Sequence, residues 1–286
     1  MGIEIDSTTP EGWHAALAAL TWQVDLGVTE VIGDAPINAY DLPERADWQV
    51  APQATPLSQR RPEKPAAAPY VPSISAADRA AAQADVAVAM AEAAASAAQT
   101  LAELQEALAR YDHCELKKGA RHLVFADGVP GARVLVLGEA PGRDEDLQGK
   151  PFVGAAGQLL DRMFAAIGLS RSSDDPASAL YITNVMPWRP PANRDPTPEE
   201  IAMMRPFVER HITLMNPRVI VVMGNTPLYA LTGQKGVMRT RGTWTSALHR
   251  PMLPMVHPAY LLRNPIAKRE AWADLLSLQS RIRAKN

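Results

Sequence analysis

The amino-acid sequence predicts an α/β protein: an α/β/α sandwich with a central four-stranded parallel sheet, preceded by a helical and proline-rich N-terminal extension. Beyond about residue 110, short apolar runs rich in β-branched residues alternate with segments of helical periodicity, as in parallel sheets covered on both faces. Proline and alanine concentrate before residue 113, which separates the extension from the sandwich. Apolar residues make up 47% of the 286 residues, enough to form a core.

The first predicted element is a short amphipathic helix within residues 1–35. Thr9 and Pro10 resemble a helix N-cap followed by proline at the first helical position. Apolar residues from Trp13 to Val24 continue at helical spacing. Such a helix cannot form a core alone, so we expect it to dock on the main domain or on a partner protein.

Residues 36–74 are predicted to form an extended linker. Eight prolines occur in the 37 residues from Pro36 to Pro72. Proline removes a backbone donor and disfavours helix in the residue before it. This composition favours a semi-rigid or disordered segment over a packed one.

Residues 75–112 are dominated by alanine, the strongest helix former, and predict one long helix. Alanine side chains bury little area. We therefore expect the docking contacts at the C-terminal part of this helix, on Leu101, Leu104 and Leu108.

The remaining domain, residues 113–286, contains the predicted sheet. Pro254 favours an edge position for the last strand. In α/β sheets, ligands bind at the carboxyl ends of the strands, and polar residues follow the four strands there: Glu139, Asn184, Asn225 and His257. The predicted strands are 133–137, 180–185, 219–224 and 252–256, and the predicted helices are about 155–167, 198–215, 226–231 and 264–283.

Charge is unevenly distributed along the chain. The formal net charge is −2, but residues 1–110 carry −9 and residues 111–286 carry +7. A basic domain of this kind favours contact with nucleic acid.

Several classes of protein are excluded by composition. No stretch of about 18 uncharged apolar residues is present, which argues against a transmembrane helix. The acidic N-terminus lacks the basic region of a secretory signal. The single cysteine, Cys114, cannot form an internal disulfide and cannot hold a metal cluster alone. We expect a cytoplasmic protein.

The segment 138–154 follows the first strand directly. It contains four carboxylates among glycine and proline, but it matches neither a P-loop nor a dinucleotide-binding fingerprint. One interpretation is a tight solvated turn. The other rests on Phe152, a large apolar residue between loop glycines, on which a planar ligand could stack.

The segment 257–263 also allows two interpretations. His257 lies at a strand end and is followed by a proline, two leucines and an arginine. It is either a hydrogen-bonded histidine before a helix, or a catalytic group beside an apolar wedge that enters a DNA duplex.

Five motifs in order resemble the family 4 uracil-DNA glycosylases, and the resemblance runs from about Cys114 to Trp272. It implies a DNA-repair hydrolase that flips uracil out of DNA and cleaves its N-glycosidic bond, acting as a monomer in the nucleoid of a bacterial cytoplasm. The motifs are Gly-Glu-Ala-Pro-Gly (138–142), Pro-Phe-Val-Gly (151–154), Ile-Thr-Asn (182–184), Arg-Pro-Pro-Ala-Asn-Arg (189–194) and His-Pro-Ala-Tyr-Leu-Leu-Arg (257–263).

The resemblance implies a uracil-binding set. Phe152 stacks on the base, and the amide of Asn184 reads its N3–H and O4 together. Ala140 and Gly142 are the other members of this set. Family 1 enzymes carry an aspartate where Ala140 aligns, so water activation is expected elsewhere in this chain.

The resemblance also implies a catalytic set. His257 donates from Nε2 to uracil O2 as negative charge accumulates there. Glu139 is the first candidate to stabilise the sugar cation and orient water, and Glu145 is the second. Glu145 could instead exclude the thymine methyl group or cap the loop. Asn193 is a candidate to position water or, alternatively, to cap its loop.

For DNA binding, the resemblance implies a wedge and phosphate clamp formed by Tyr260, Leu261, Leu262 and Arg263. It leaves open which leucine enters the duplex.

One departure from the family concerns its [4Fe–4S] cluster, which four cysteines hold. The four ligand positions fall on Cys114, Lys117, Trp188 and Met204 of this sequence. One thiolate cannot retain the cluster, so we expect no iron–sulfur cluster and no other metal. Trp188 and Met204 are expected to fill the volume by packing.

Other classes of function remain open. The chain could be a non-catalytic sensor of uracil or abasic DNA, although a pure binder needs neither Glu139 nor His257. It could be a glycosylase for a broader set of deaminated bases. Its N-terminal half could also recruit a repair partner.

Overall fold

The computed structural model describes residues 76–284, together with His14, Leu17, Ala18 and Thr21. Internal contacts divide the chain into residues 1–70 and residues 71–286. The four described residues of the first part are helical. The rest of the predicted N-terminal helix and the predicted proline-rich linker lie outside the described residues.

The fold prediction of a mixed α/β sandwich is confirmed, but the sheet has six strands instead of four. The order is β1-β3-β2-β4-β6-β5, in which β3, β2, β4 and β6 are mutually parallel and the two outer strands are antiparallel. The outer strands have two and three residues, too few to show a pattern in the sequence. The strands are β1 (Asp127–Gly128), β2 (Val134–Gly138), β3 (Leu180–Asn184), β4 (Val219–Met223), β5 (Thr245–Ala247) and β6 (Arg250–Met255).

Helices cover both faces of the sheet. None of the described helices is long and apolar enough to cross a membrane. The helices are α1 (Ala76–Ala97), α2 (Leu101–Arg110), α3 (Leu116–Gly119), α4 (Arg143–Gln148), α5 (Ala155–Ala165), α6 (Pro198–Met215), α7 (Asn225–Thr232), α8 (Val237–Thr240), α9 (Pro258–Arg263) and α10 (Lys268–Arg283), with 3₁₀ turns at Pro191–Asn193 and Pro265–Ala267.

Alternate residues of the central strands supply two separate cores. Leu135 and Leu137 pack with residues from α1, α2 and α6 on one face. Val134 and Val136 pack with residues from α5 and α10 on the other. Strands β2, β3 and β4 are buried throughout, as expected for parallel strands covered on both faces.

The alanine-rich segment forms two helices, so the prediction of one long helix is wrong. Thr100 is the N-cap of α2 and accepts a hydrogen bond from the Glu103 amide at 3.1 Å, while the Glu103 carboxylate accepts from the Gln99 amide at 2.7 Å. Arg210 donates to the Ala98 carbonyl oxygen at 2.8 and 2.6 Å. These hydrogen bonds replace those of a continuous helix and stabilise the break between α1 and α2.

The docking of these helices was predicted only in part. Leu104 and Leu108 are buried, as expected. Ala91 and Ala95 of α1 are also buried, and α1 packs along α6. Small side chains let the two helices approach closely, so the alanine face contributes contacts as well.

Pro254 does not lie on an edge strand, contrary to the prediction. Strand β5 lies outside β6 but pairs only with its first three residues. Beyond β5, the Gly242 amide donates to the Pro254 carbonyl oxygen at 3.0 Å. Proline is therefore tolerated where the neighbouring strand has already ended.

Candidate active site

The carboxyl ends of the parallel strands bring the predicted polar residues together. Gly138 at the end of β2 pairs in register with Asn184 at the end of β3, and Glu139 follows directly. Gly224 after β4 lies beside His257 after β6, since a Cβ added to Gly224 would lie 3.7 Å from the His257 Cβ. We call Glu139, Phe152, Asn184 and His257 the strand-end site.

Phe152 enters this site on a strained backbone. Its φ of 54° is left-handed, which is uncommon for a residue other than glycine. Its ring lies 5.4 Å from the His257 ring, centroid to centroid, at an angle of 31°. A Cβ at Gly138 would lie 2.5 Å from the Phe152 ring and 2.3 Å from Asn184 Oδ1. Only glycine at position 138 lets the ring and the amide meet.

Arg171 holds the backbone of Phe152 in place. Its guanidinium donates to the carbonyl oxygens of Phe152 and Pro151, each at 2.9 Å. It is anchored in turn by Asp161 at 2.8 Å and Asp127 at 3.1 Å. The planar donor set of arginine can serve all four acceptors at once, so this residue stabilises a conformation that the chain would not otherwise adopt.

Glu145 fastens the loop that carries Phe152. Its carboxylate accepts hydrogen bonds from the amides of Val153 at 3.0 Å, Gly154 at 2.9 Å and Gly142 at 3.1 Å. The surrounding residues form helix α4, so the segment is not a solvated turn. The geometry gives Glu145 the loop-capping contacts that its sequence position allowed as an alternative.

Asn184 presents an unpaired acceptor. The residue is buried, and its Oδ1 has no hydrogen-bond partner in the part of the chain that the structure describes. A buried polar atom without a partner costs about 1–3 kcal/mol. Such an atom at a strand end indicates a ligand that donates a hydrogen bond to it.

His257 is a neutral imidazole with its proton on Nε2. It caps helix α9, and its Nδ1 accepts from the Ala259 amide at 3.2 Å, which assigns the proton to Nε2. Burial, followed by the positive charge of Arg263, lowers its pKa to about 4, although the charge of Glu145 opposes this. Among the described residues, no group accepts a hydrogen bond from Nε2–H.

Glu139 is a half-buried carboxylate. The Thr226 hydroxyl donates to its Oε2 at 2.5 Å. Burial raises the pKa of Glu139, and the nearby charge of Asp195 raises it further, while the hydrogen bond from Thr226 lowers it. This environment makes Glu139 a stronger base than an exposed glutamate.

Asn193 lies on the exposed loop between β3 and α6. Its backbone is left-handed, with φ 55°, and its Oδ1 accepts from Arg189 Nε at 2.7 Å. Its amide oxygen is therefore already engaged. The loop carries Asp195, whose charge acts on Glu139.

The predicted DNA-binding residues divide by exposure. Leu262 is 43% exposed, Arg263 is exposed and Tyr260 is half-buried. Leu261 is only 1% exposed, so the prediction that it contacts DNA is wrong. The first turn of α9 directs it into a small core instead. Its neighbours there are Leu159, Val256 and Ala271.

The four positions that align with cluster ligands do not fit a four-thiolate cluster. Cys114, Trp188 and Met204 are buried in one apolar core. Lys117 Nζ donates to two carbonyl oxygens at the end of α2, at 2.6 and 3.3 Å, and to the Asp112 carboxylate. Within residues 76–284, no three potential ligands are grouped as a metal site. One thiolate, one lysine and two apolar side chains do not supply the required donor set.

Three contributors to the strand-end site were missed in the sequence. Gly138 could have been recognised, because glycine at a strand end often marks a close approach. Thr226 and Arg171 come from other elements and carry no local signal. Only the tertiary structure connects them with Glu139 and Phe152.

Parallel strands with an aromatic ring, an unpaired amide oxygen, a neutral histidine and a half-buried carboxylate at their carboxyl ends define a class of enzyme that handles a nucleobase. Residues 125–276 match the family model of the Uracil DNA glycosylase superfamily, and the chain belongs to this superfamily.

Individual relatives refine this assignment and confirm the resemblance to family 4. The chain is 37% identical over 172 residues to the type-4 uracil-DNA glycosylase of Archaeoglobus fulgidus, covering 56% of this chain and 82% of that protein. It is 37% identical over 164 residues to the type-4 enzyme of Thermotoga maritima, covering 56% and 81%. It is 32% identical over 134 residues to the type-5 uracil-DNA glycosylase of Thermus thermophilus, covering 44% of this chain and 61% of that protein.

Proposed function

We propose that this protein is a DNA-repair glycosylase that hydrolyses the bond between uracil and deoxyribose and leaves an abasic site in DNA. The observation that carries the proposal is the buried, unpaired Oδ1 of Asn184 beside the Phe152 ring. Its relatives are named uracil-DNA glycosylases, and its basic domain suits a DNA substrate.

The base is read after it has been flipped out of the duplex. Phe152 stacks on the pyrimidine, with Ala140 and Gly142 at the same loop. Asn184 Oδ1 accepts from uracil N3–H, and its amide nitrogen donates to O4. Cytosine has an acceptor at N3 and a donor at position 4, so it would leave the amide unpaired at a cost of about 1–3 kcal/mol.

His257 stabilises the leaving base. As the C1′–N1 bond breaks, its electron pair stays on uracil and the negative charge spreads to O2. The neutral imidazole donates Nε2–H to O2 and keeps its proton, because a histidine with a pKa of about 4 is uncharged near pH 7.

Glu139 acts on the sugar. Its carboxylate stabilises the positive charge that develops at C1′ and orients a water molecule. The water oxygen bonds to C1′, and its proton passes to Glu139. Asn193 is our candidate to help position this water through its amide nitrogen. Glu145 takes a positioning role, because its carboxylate holds the loop of Phe152.

The exposed side chains after His257 contact the DNA. Leu262 is the wedge that fills the position of the flipped nucleotide, and Arg263 contacts a phosphate. Tyr260, half-buried in the same helix, completes this surface. Leu261 is excluded from it by burial.

We further propose that the enzyme works without an iron–sulfur cluster. The apolar packing of Trp188 and Met204 and the hydrogen bonds of Lys117 support this proposal. Iron analysis and a visible absorption spectrum of protein purified without oxygen test it. Stoichiometric iron with a cluster absorption band would contradict it.

Asn184→Asp tests the function itself. Uracil release from an oligonucleotide duplex with one uracil is measured, with Asn216→Asp as the matched control, because Asn216 is exposed and precedes β4, at the end of the sheet opposite the site. We expect release by the wild type and by the control. The Asn184 variant should lose most uracil release and gain some release of cytosine, because a protonated carboxyl can pair with cytosine. A wild-type protein that binds this duplex without releasing uracil would instead support a non-catalytic sensor.

A further inference from the structure

A nearly fully exposed isoleucine lies beside the proposed wedge. Ile266 is 93% exposed, the highest value among the large hydrophobic residues that the structure describes. It lies in the 3₁₀ turn Pro265–Ala267, four residues after Leu262. Four residues span at most about 14 Å, so both side chains lie within a few base-pair steps of each other.

The turn presents Ile266 on a firm base. Its neighbour Ala267 packs against the small core around Leu261. The Asn264 amide donates to the Tyr260 carbonyl oxygen at 2.8 Å, and the Ala267 amide donates to the Asn264 carbonyl oxygen at 3.1 Å. The isoleucine is therefore held outward by packed and hydrogen-bonded neighbours.

One exposed apolar side chain does not by itself indicate a partner. The charges around it do. Arg263, Lys268 and Arg269 are exposed, and none of them forms an ion pair within the described part of the chain. The nearest acidic residue in sequence, Glu270, is bound to Arg241 at 3.1 Å. An apolar tip surrounded by unpaired cations fits the groove and phosphates of DNA.

We propose that Ile266 is a second apolar contact to duplex DNA, entering the minor groove next to the step opened by Leu262. This inference rests on the proposed function. Isoleucine is among the side chains that proteins insert between base steps, and the adjacent cations would hold the flanking phosphates. The contact should matter for a duplex, in which the opposite strand must be displaced, and not for a single strand.

The test compares uracil release from a duplex and from the same strand alone. Ile266→Ala should lower duplex release about tenfold, since it removes three buried carbon groups from the contact. Release from the single strand should stay at the wild-type rate, and Ile266→Leu should restore duplex release. The matched control is Leu276→Ala, a leucine on α10 with 44% exposure, which should change neither rate.

A second measurement separates this inference from the proposed function. The fluorescence of 2-aminopurine, placed opposite the uracil, reports unstacking of the partner strand when protein binds. It should rise with the wild-type protein and rise less with Ile266→Ala, whether or not uracil is released. If the wild type releases no uracil but this difference persists, the proposed function fails and the contact stands.

Three results would overturn the inference. The first is that Ile266→Ala loses uracil release equally on the duplex and on the single strand. The second is that Ile266→Ala releases uracil at the wild-type rate from both substrates. The third is that the 2-aminopurine fluorescence rises equally with Ile266→Ala and with the wild type. In the last two cases this surface serves another occupant, such as a protein partner. A thermal melt of each variant checks that a surface substitution has left the fold intact.

Discussion

Cys114 is buried in an apolar core with Trp188 and Met204, and the Lys117 amino group has three hydrogen-bond acceptors. We call Cys114, Lys117, Trp188 and Met204 the Cys114 corner. In the strand-end site, by contrast, a buried amide oxygen lacks a partner and a phenylalanine has a left-handed backbone. The packing and hydrogen bonds of the Cys114 corner stabilise the fold. The strand-end site instead keeps an unpaired acceptor and a strained backbone, which are features typical of a ligand-binding site.

Two histidines show the same difference. Burial lowers the pKa of His211 to about 3 and contributes most of the fall to about 4 for His257, so both are neutral near pH 7. His211 is satisfied within the core: its Nε2 bonds to the Tyr181 hydroxyl at 2.8 Å, and its ring stacks on Phe125. His257 keeps Nε2–H without a partner among the described residues. Equal charge states therefore serve different roles, which only the hydrogen bonds reveal.

The largest expected effects come from removing one side chain from each of the two regions. His257→Ala should lower the rate of uracil release roughly 10²–10³-fold, as for loss of a donor to a developing anion. It should lower the free energy of unfolding by only about 1 kcal/mol, since the side chain also caps α9. Trp188→Ala in the Cys114 corner should lower the free energy of unfolding by about 3–5 kcal/mol. Its folded fraction should keep the wild-type rate.

Denaturant unfolding and single-turnover kinetics measure these two quantities. Trp272→Ala is the matched control for tryptophan, because Trp272 is 43% exposed and Trp188 is 2% exposed. Trp272→Ala should lower the free energy of unfolding much less than Trp188→Ala does. If His257→Ala unfolds the protein, or if folded Trp188→Ala is inactive, the two regions are not separate in function.

A smaller effect is expected at Arg171, which lies outside both regions but positions Phe152. Arg171→Ala should raise KM for uracil-containing DNA roughly tenfold and lower kcat less, because stacking binds the ground state and the transition state alike. Arg171→Lys should rescue little, since an ammonium group cannot serve two carbonyl oxygens and two carboxylates in one plane.

The control for Arg171 is Arg205→Ala, which removes an exposed ion pair with Glu209. It should leave both constants unchanged. A merely structural role of Arg171 would instead lower the active fraction and the melting temperature with KM unchanged.

Sequence patterns predicted the four parallel strands and helix α6 well, because buried strands and capped helices have a local signature. They also predicted which side chains meet at the strand ends, since topology alone brings these ends together. They failed where the cause lies far away in the chain. The break at Thr100 depends on Arg210, and the conformation of Phe152 depends on Arg171. The burial of Leu261 and the exposure of Leu262 follow from helix α9, which is not among the predicted helices.

The smallest expected effect concerns the hydrogen bond from Thr226 to Glu139 in the strand-end site. Thr226 lowers the pKa of Glu139 against the raising effect of burial. Glu139 must be ionised to act on the sugar, so activity is lost as pH falls through its pKa. Thr226→Val removes the stabilising donor and should move this acidic limb of the pH–rate profile to higher pH, with a few-fold loss of rate in mild acid and little change near neutrality. Thr226→Ser keeps the hydroxyl and should retain the wild-type profile. Single-turnover rates measured across the acidic range test this, and identical limbs for the valine and serine variants would show that Glu139 is not the titrating base.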